Sequence, residues 1–180
     1  MKHLLPLLLL AIATTGCASD AARFRHELLA ADSATAVLQT HCPLAGEKIR
    51  AERDAETAAP APPAILRALA VHPSETIRHR RVRLMCGPHL YSAADNWYVP
   101  ERLTAAMNAA LDGSDTPFGR VVAPLKPSRT TLTAKRHSGP AFLSVSAVLI
   151  AANGQPISGV IENYQRAVLR PAPHLPRPLN

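Results

Sequence analysis

Alternating apolar and polar positions dominate the chain after residue 46 and predict β-strands. Gly87 and Pro88 join two of the alternating segments tightly, and Asn153-Gly154, the dipeptide most typical of a hairpin turn, joins two more. Strands connected by such short turns run antiparallel. We therefore expect a mostly antiparallel sheet of about six strands, at residues 47–54, 76–86, 89–99, 129–136, 142–152 and 155–169.

Helical periodicity marks three other parts of the chain. Residues 22–42 are expected to be helical, with a break where Asp32 or Ser33 can cap a second helix that begins at Ala34. A short helix is predicted at residues 65–71. A longer helix is predicted from Pro100 to Gly113, with an apolar stripe formed by Leu103, Met107 and Leu111.

The remaining segments are expected to lie outside regular structure. Residues 55–64 and 170–180 are rich in proline, and residues 114–120 are predicted to be a loop. Residues 22–169 would then form one α+β domain, a sheet with helices beside it.

The first 17 residues have the order of a secretory signal. A basic start at Lys2 precedes an apolar run at residues 4–13, too short to span a bilayer, and then small residues. Cys17 follows Thr15-Gly16 and resembles the acylation site of bacterial lipoproteins, whereas ordinary cleavage after Ala18 also fits. We expect an exported protein, periplasmic or anchored in the outer membrane through a lipid on Cys17, its one contact with a membrane.

The charge of the chain narrows the class of ligand. The net charge is +7, or +6 once Lys2 is removed with the signal, and such an excess attracts anions. Aromatic residues make up only 4% of the chain, too few for the base-stacking surfaces of nucleic-acid-binding proteins. We expect a monomer whose partner is a small anionic molecule or a lipid head group, and no nucleic acid.

Cys42 and Cys86 remain in the mature chain. In an oxidising compartment they can form a disulfide, which would add about 4 kcal/mol to stability in the chain-entropy estimate. They can equally be two buried thiols, because a free cysteine packs as a small apolar side chain. Cysteines and histidines are not spaced as metal ligands, so no metal site is expected.

The predicted strand "TIRHRRVRLMCG" carries four arginines. Side chains alternate between the two faces of a strand, and both faces here become apolar towards Cys86. The arginines nearest that end are therefore expected to be partly buried, where a guanidinium requires an anion such as a planar carboxylate. One face would carry Arg78, Arg80, Val82 and Leu84, and the other His79, Arg81, Arg83 and Met85.

A single carboxylate interrupts the apolar face of the last predicted strand. Val160, Glu162 and Tyr164 share this face. Glu162 is then either paired with a cation or desolvated, with a raised pKa. A third interpretation, an edge carboxylate in contact with water, is equally consistent with the sequence.

Five segments, taken in order over residues 22–169, resemble the chorismate lyase family. They are "LLAADSATAVLQ", "RVRLMCG", "NWYVP", "DTPFGR" and "NGQPISGVIENY". The resemblance implies an α+β fold that is also similar to the effector-binding domain of GntR-type regulators. It further implies removal of pyruvate from chorismate to give 4-hydroxybenzoate, without a metal or an organic cofactor.

The resemblance also assigns roles to individual residues. Arg81 would bind the aromatic carboxylate, and Glu162 would act as the acid at the opposite end of the ring. Arg78 and Arg80 would be solvated or edge charges. The pocket wall and its backbone amides would come from Ser33, Ala34, Thr35, Phe118 and Gly119.

Three departures from the family pattern bear on function. The last hairpin has one extra residue before Glu162, which can reverse the face that this side chain occupies. Ala34 and Phe118 differ in size from the family's pocket residues, which implies a pocket of different shape. Chorismate is also made in the cytoplasm, whereas this chain is expected to be exported from it. The hypotheses are therefore an exported lyase acting on chorismate or a related cyclic acid, a non-catalytic lipoprotein that binds a small aromatic carboxylate, and an envelope structural protein.

Overall fold

The computed structural model describes residues 14–44, 46–54 and 59–170. The predicted signal segment lies outside these residues except for Thr14–Cys17, which belong to the first helix, and the tail predicted at residues 170–180 lies outside them after Arg170. The described α-helices are α1 (Thr14–Ala30), α2 (Ala34–Thr40), α3 (Pro63–Leu69), α4 (Ala105–Gly113) and α5 (Phe118–Val121). The described strands are β1 (Arg50–Arg53), β2 (Arg78–Cys86), β3 (His89–Tyr98), β4 (Ser128–Arg136), β5 (Ala141–Ile150) and β6 (Pro156–Gln165).

The strands form one antiparallel sheet in the order β1-β2-β3-β6-β5-β4. The α+β prediction is confirmed, and a strand lies at each of the six predicted positions; the last one ends earlier than expected, at Gln165, because residues 166–169 form a 3-10 helix. A hairpin joins β5 and β6 as predicted, but the Gly154 N–H donates to the Ala151 carbonyl, so Ala152 and Asn153 are the central residues of the turn and Gly154 follows them with a positive φ of 84°. β3 and β6 are central, so residues that face the same side on β2, β3 and β6 are brought together in the middle of the sheet.

Helices α1 and α2 cover one face of the sheet. Ser33 accepts a hydrogen bond from the backbone N–H of Ala36, which makes it the N-cap of α2, as the sequence indicates. Phe24 of α1 packs edge-on against Tyr164 of β6, with their ring centroids 5.4 Å apart. Ala34, Val37 and Leu38 of α2 are buried in the same cluster as these two rings, so both helices pack on this face of the sheet.

Helix α3 covers the opposite face. Its Ile65 and Leu69 are buried against Trp97 of β3 and Val148 of β5. A Cβ atom on Gly159 of β6 would lie only 2.4 Å from the Cγ2 atom of Ile65, so the absence of a side chain there permits this close approach.

Two predictions between residues 100 and 121 are wrong. The helix expected from Pro100 to Gly113 is interrupted, because Leu103 is extended and the Thr104 side chain accepts a hydrogen bond from the N–H of Met107, which starts α4 anew. Before this break, residues 100–102 form only a short 3-10 helix. Residues 118–120, the last three of the segment expected to be a loop, belong to the short helix α5.

Cys42 and Cys86 form a disulfide, with their Cα atoms 5.7 Å apart, so the alternative of two free thiols is wrong. Cys42 follows α2 and Cys86 ends β2, so the bond joins the helix to the sheet that it covers. No helix in the described part of the chain is both long and apolar enough to cross a membrane.

Candidate functional site

A cavity of about 260 Å³ lies between the sheet and the start of α2. Its floor consists of side chains from β2, β3, β5 and β6, and its other walls come from α5 and the segment that leads into β4. Its apolar lining residues include Val82, Leu84, Ala94, Phe118, Leu149 and Val160, and its polar ones are Asp32, Ser33, Thr35, Arg80, Asn96, Lys126, Arg129 and Glu162. An apolar cavity with a few polar side chains is typical of a small-molecule site.

Arg80 places a cation in the wall of this cavity. Its side chain points to the same face as Val82 and Leu84, and the residue is only 6% exposed. Its Nη2 donates long hydrogen bonds of 3.3 and 3.4 Å to the backbone carbonyls of Ser114 and Thr116. Among the described carboxylates, none lies within 4.0 Å of the guanidinium nitrogens.

The environment of Arg80 is unfavourable for its charge. Burial lowers the pKa of the guanidinium, and the neighbouring charge of Arg53 lowers it further. An arginine nevertheless stays protonated, so its charge must be balanced by other means. A bound anion would supply that balance.

Asn96 of β3 lies beside Arg80, since the two residues are directly paired across the strands. Its side-chain oxygen accepts a hydrogen bond from Ser158 of β6. Its Nδ2 atom, the Nε atom of Arg80, and the Nε and Nη1 atoms of Arg129 are buried and have no acceptor among the described residues. The polar wall of the cavity is therefore rich in donors, which favours a ligand rich in acceptors.

Glu162 forms the core of a buried cluster on the same face. Its Oε2 atom accepts hydrogen bonds from Arg129 Nη2 at 2.7 Å and from the Tyr164 hydroxyl at 2.8 Å. The Arg129 and Glu162 side chains are only 2% and 8% exposed. Of the three sequence interpretations of Glu162, pairing with a cation is confirmed.

The charges in this cluster stabilise one another. Burial alone would lower the pKa of Arg129, but the adjacent Glu162 carboxylate raises it above its usual range. Burial, together with the same carboxylate, raises the pKa of Tyr164 well above its usual value, so its hydroxyl remains a donor. The cluster therefore presents a carboxylate held between two donors.

The structure brings together six of the predicted site residues. Glu162 lines the cavity despite the extra residue before it, and with it stand Ser33, Ala34, Thr35, Phe118 and Gly119. Gly119 and Thr35 approach closely, since a Cβ atom on Gly119 would lie 3.2 Å from the Thr35 hydroxyl oxygen. These contacts position α5 against the start of α2.

The placement predicted for Arg81 is wrong. Arg81 pairs with Asp95 and Asp95 with Ile161, whereas Val82 pairs with Ala94 and Ala94 with Glu162. Directly paired residues share a face, so Arg81 and Glu162 point to opposite sides of the sheet. The Arg81 side chain is 37% exposed, with its Nε atom 3.9 Å from a carboxylate oxygen of Asp54 and of Asp95. Of the four arginines of β2, Arg80 lines the cavity, although it was expected to be a solvated or edge charge.

Sequence reasoning did not single out Arg80, Asn96, Arg129, Asp32 or Lys126 as site residues. For Arg80 a signal exists, because it shares the more apolar face of β2 with Val82 and Leu84. Arg129 has no local signal, because its partner Glu162 lies 33 residues away and on a strand that does not neighbour its own. The described residues contain no group of three or more His, Cys, Asp or Glu side chains that can hold a metal ion.

Comparison with known proteins gives one relative by sequence. The uncharacterized protein y4mC of Sinorhizobium fredii is 40% identical over an alignment 177 positions long, and the match covers 82% of this chain and 75% of that protein. The chain belongs to the family of y4mC. No protein-family model matches the chain.

Solved structures give weaker similarities. The possible transcriptional regulator YydK from Bacillus subtilis has a TM-score of 0.45 at 12% identity, and the match covers 65% of this chain but only 58% of that regulator. The ligand-binding domain of a protein assigned to the GntR family from Bordetella bronchiseptica has a TM-score of 0.47 at 19% identity, covering 65% of this chain and 82% of that domain. A GntR-family regulator from Enterococcus faecalis has a TM-score of 0.47 at 14% identity, covering 64% and 92%. Because these TM-scores are below 0.5, we draw no conclusion about this chain from them.

Proposed function

We propose that the cavity binds a small organic carboxylate and that Arg80 is the receptor for its negative charge. The observation that carries this proposal is a buried guanidinium without a carboxylate partner among the described residues, set in a largely apolar wall. A guanidinium matches a carboxylate in shape, because its parallel N–H donors meet both oxygens. The adjacent Asn96 supplies a further donor on the same wall.

The shape and polarity of the cavity favour an aromatic acid. At about 260 Å³ the cavity is small for a drug-sized ligand. Val82, Leu84, Phe118, Leu149 and Val160 offer apolar surface on which a ring can pack. A hydroxybenzoate combines such a ring with a carboxylate, and we take 4-hydroxybenzoate as the probe.

The proposal is tested by thermal unfolding in the presence of 4-hydroxybenzoate. A ligand that binds only the folded state stabilises it by about 2.7 kcal/mol at a hundredfold excess over the dissociation constant. Arg80→Ala should abolish this protection, because loss of a buried charged partner costs about 2–5 kcal/mol of binding. Arg81→Ala is the matched control, a neighbouring arginine on the other face, and should retain the protection.

Equal loss of protection in the two arginine variants would contradict the assignment to Arg80. Absence of any protection of the wild-type chain by 4-hydroxybenzoate or benzoate would overturn the proposal of an aromatic-acid site. Because Arg80→Ala also removes two hydrogen bonds to the loop after α4, Arg80→Lys provides a second variant, which keeps the charge but loses the paired donors.

A second candidate is lyase chemistry on chorismate or a related cyclic acid. The observation that favours it is the position of Glu162, which lines the same cavity as Arg80 and is fixed by Arg129 and Tyr164. A fixed carboxylate can manage the proton that is lost when a ring becomes aromatic. Incubation of the purified chain with chorismate should then release pyruvate, and 4-hydroxybenzoate binding without pyruvate release would favour the non-catalytic carboxylate-binding protein.

The place of action proposed for this chain is the cell envelope. The order of charged, apolar and small residues at positions 1–17 supports export, and so does the disulfide, because disulfides persist in oxidising compartments. Cys17→Ser should release the protein from the membrane fraction if Cys17 is acylated. An unchanged membrane fraction would contradict a lipid anchor on Cys17.

A further inference from the structure

A second concave site lies beside the cavity, beyond the end of β1. This cationic groove has a volume of about 230 Å³, and its charged lining comprises four arginines and two aspartates. Its lining residues are Arg53, Asp54, Arg78, His79, Arg80, Arg81, Tyr98 and Asp112. The excess of arginine gives the cationic groove a positive field.

The carboxylate of Asp112 forms ion pairs with two of these arginines, Arg78 and Arg53. Arg78 donates to both carboxylate oxygens of Asp112, at 3.1 and 3.0 Å. Arg53 lies 3.9 Å from the same carboxylate and donates to the backbone carbonyl of Leu111. Arg80 has neither aspartate of the groove within ion-pair distance. The positive charge around Arg53, Arg78 and Arg80 is therefore only partly balanced by Asp112.

We propose that the cationic groove is an anion-binding site for a phosphate group, and that Arg80 forms the wall that it shares with the cavity. Three guanidinium groups present more donors than the two oxygens of a carboxylate can accept, whereas the oxygens of a phosphate can accept from all three. Arg53 and Arg78 are each 48% exposed, so a phosphate group can reach them from solvent. Arg80 lines both sites.

The shared arginine links the two sites. A phosphate that engages Arg80 from the groove reduces the attraction of this guanidinium for a carboxylate in the cavity. Linkage requires the converse effect to have the same size. This antagonism rests on the proposed function of the cavity, whereas phosphate binding in the cationic groove does not.

The experiment is a calorimetric titration of the full chain with inorganic phosphate at constant ionic strength, with chloride as the balancing anion. Binding should saturate, and Arg53→Ala and Arg78→Ala should each weaken it about tenfold or more. Arg83→Ala is the matched control. Arg83 lies on β2, as Arg78 does, and its side chain is 50% exposed, but it pairs with Glu52 outside the groove. It should bind phosphate as the wild type does.

A parallel titration with glycerol 3-phosphate shows whether the groove prefers free phosphate or an esterified phosphate group. The preferred form is the one that binds more tightly. Absence of saturable binding of both probes, or equal weakening by Arg83→Ala, overturns the site. Arg78 also packs over the Tyr98 ring, with its Cζ atom 6.0 Å from the ring centroid, so Arg78→Ala can disturb the fold. In that case the result for Arg53→Ala alone tests the site.

The antagonism has its own readout. Saturating phosphate should raise the apparent dissociation constant of 4-hydroxybenzoate several-fold in the wild type and not in Arg53→Ala. An unchanged dissociation constant would show that Arg80 is not shared. If 4-hydroxybenzoate does not bind at all, the proposed function of the cavity fails while the phosphate titration still decides the groove.

Discussion

At the scale of single residues, the buried pair of Arg129 and Glu162 links the stability of the fold to its cavity. Glu162→Ala removes the carboxylate and leaves a guanidinium that is 2% exposed without its ion-pair partner. Breaking a buried pair in this way costs about 3–5 kcal/mol. Urea unfolding of Glu162→Ala should show a loss of this size.

The double variant Arg129→Met with Glu162→Ala distinguishes an ion pair from simple packing. Because no unpaired charge remains, the double variant should recover a large part of the stability that Glu162→Ala loses. Losses that simply add would show that the two side chains contribute independently. Glu162→Gln also leaves Arg129 without a counter-charge. A loss of activity in Glu162→Gln would therefore not by itself show that Glu162 is catalytic, because the variant is also expected to be less stable.

The lowered pKa of Glu75 predicts how the stability of the folded protein depends on pH. Its hydrogen bonds with Arg102, the larger cause, and with the backbone N–H of His72 lower its pKa from 4.5 to about 2. A folded-state pKa below the unfolded value stabilises the protein above about pH 4.5, and this contribution is lost as the pH falls towards 2. Glu75→Gln should therefore melt below the wild type at pH 7, and the gap should close between pH 4.5 and pH 2. A gap independent of pH would show that the charge of Glu75 has no part in it.

The error over Arg81 shows what a single sequence can assign at this scale. The alternation along β2 correctly separates Arg80, Val82 and Leu84 from Arg81 and Arg83, and the burial of the first set follows that division. Which face meets the cavity is decided by the packing of α2 and α5, which period-two alternation does not encode. The sequence also did not predict the partner of Glu162. Arg129 lies on β4 and Glu162 on β6, and β5 lies between these two strands in the sheet.

At the scale of secondary-structure elements, the packing of α3 on β6 depends on Gly159. In Gly159→Ala the new Cβ atom would lie 2.4 Å from Ile65 Cγ2, so α3 must move, and overpacking of this kind costs about 1–3 kcal/mol. Chemical denaturation should show this loss, and Gly159→Ala should cost much less when it is made in an Ile65→Ala background, since Ile65→Ala removes the clashing side chain at the expense of a buried core contact. Gly139→Ala is the control, since no atom lies within 4 Å of its Cβ position, and it should be close to neutral. A neutral Gly159→Ala would mean that α3 adjusts freely.

Strands and turns were more predictable than the region around α4 and α5. Alternation and the Asn153-Gly154 turn are local properties, and they placed the strands and hairpins of the sheet. The break before α4 arises because Thr104 caps a new helix, and the helical pattern of Leu103, Met107 and Leu111 continues through it. Helix α5 has only four residues, and its one buried side chain, Phe118, packs against Tyr98 of β3. Its formation depends on that tertiary contact.

At the scale of the whole molecule, the cavity has two walls that are far apart in sequence and are joined by the disulfide. Ser33, Ala34 and Thr35 at the start of α2 form one wall, and the β2 side chains Arg80, Val82 and Leu84 form part of the other. Cys42 and Cys86 connect the far ends of these two elements, across a sequence separation of 44 residues. The covalent link therefore restrains the helix that closes the cavity.

Reduction of this disulfide should destabilise the whole domain. A cross-link over 44 residues removes chain entropy from the unfolded state that corresponds to about 4 kcal/mol, a large share of the stability of a domain this size. Guanidinium unfolding with and without dithiothreitol should show this difference, and the double variant Cys42→Ala with Cys86→Ala should match the reduced wild type. The double variant also serves as the control, because dithiothreitol should not change its midpoint. If reduction leaves the wild-type midpoint unchanged, the packing of α1 and α2 on the sheet holds the domain together without the bond, and the chain-entropy estimate of its contribution is wrong.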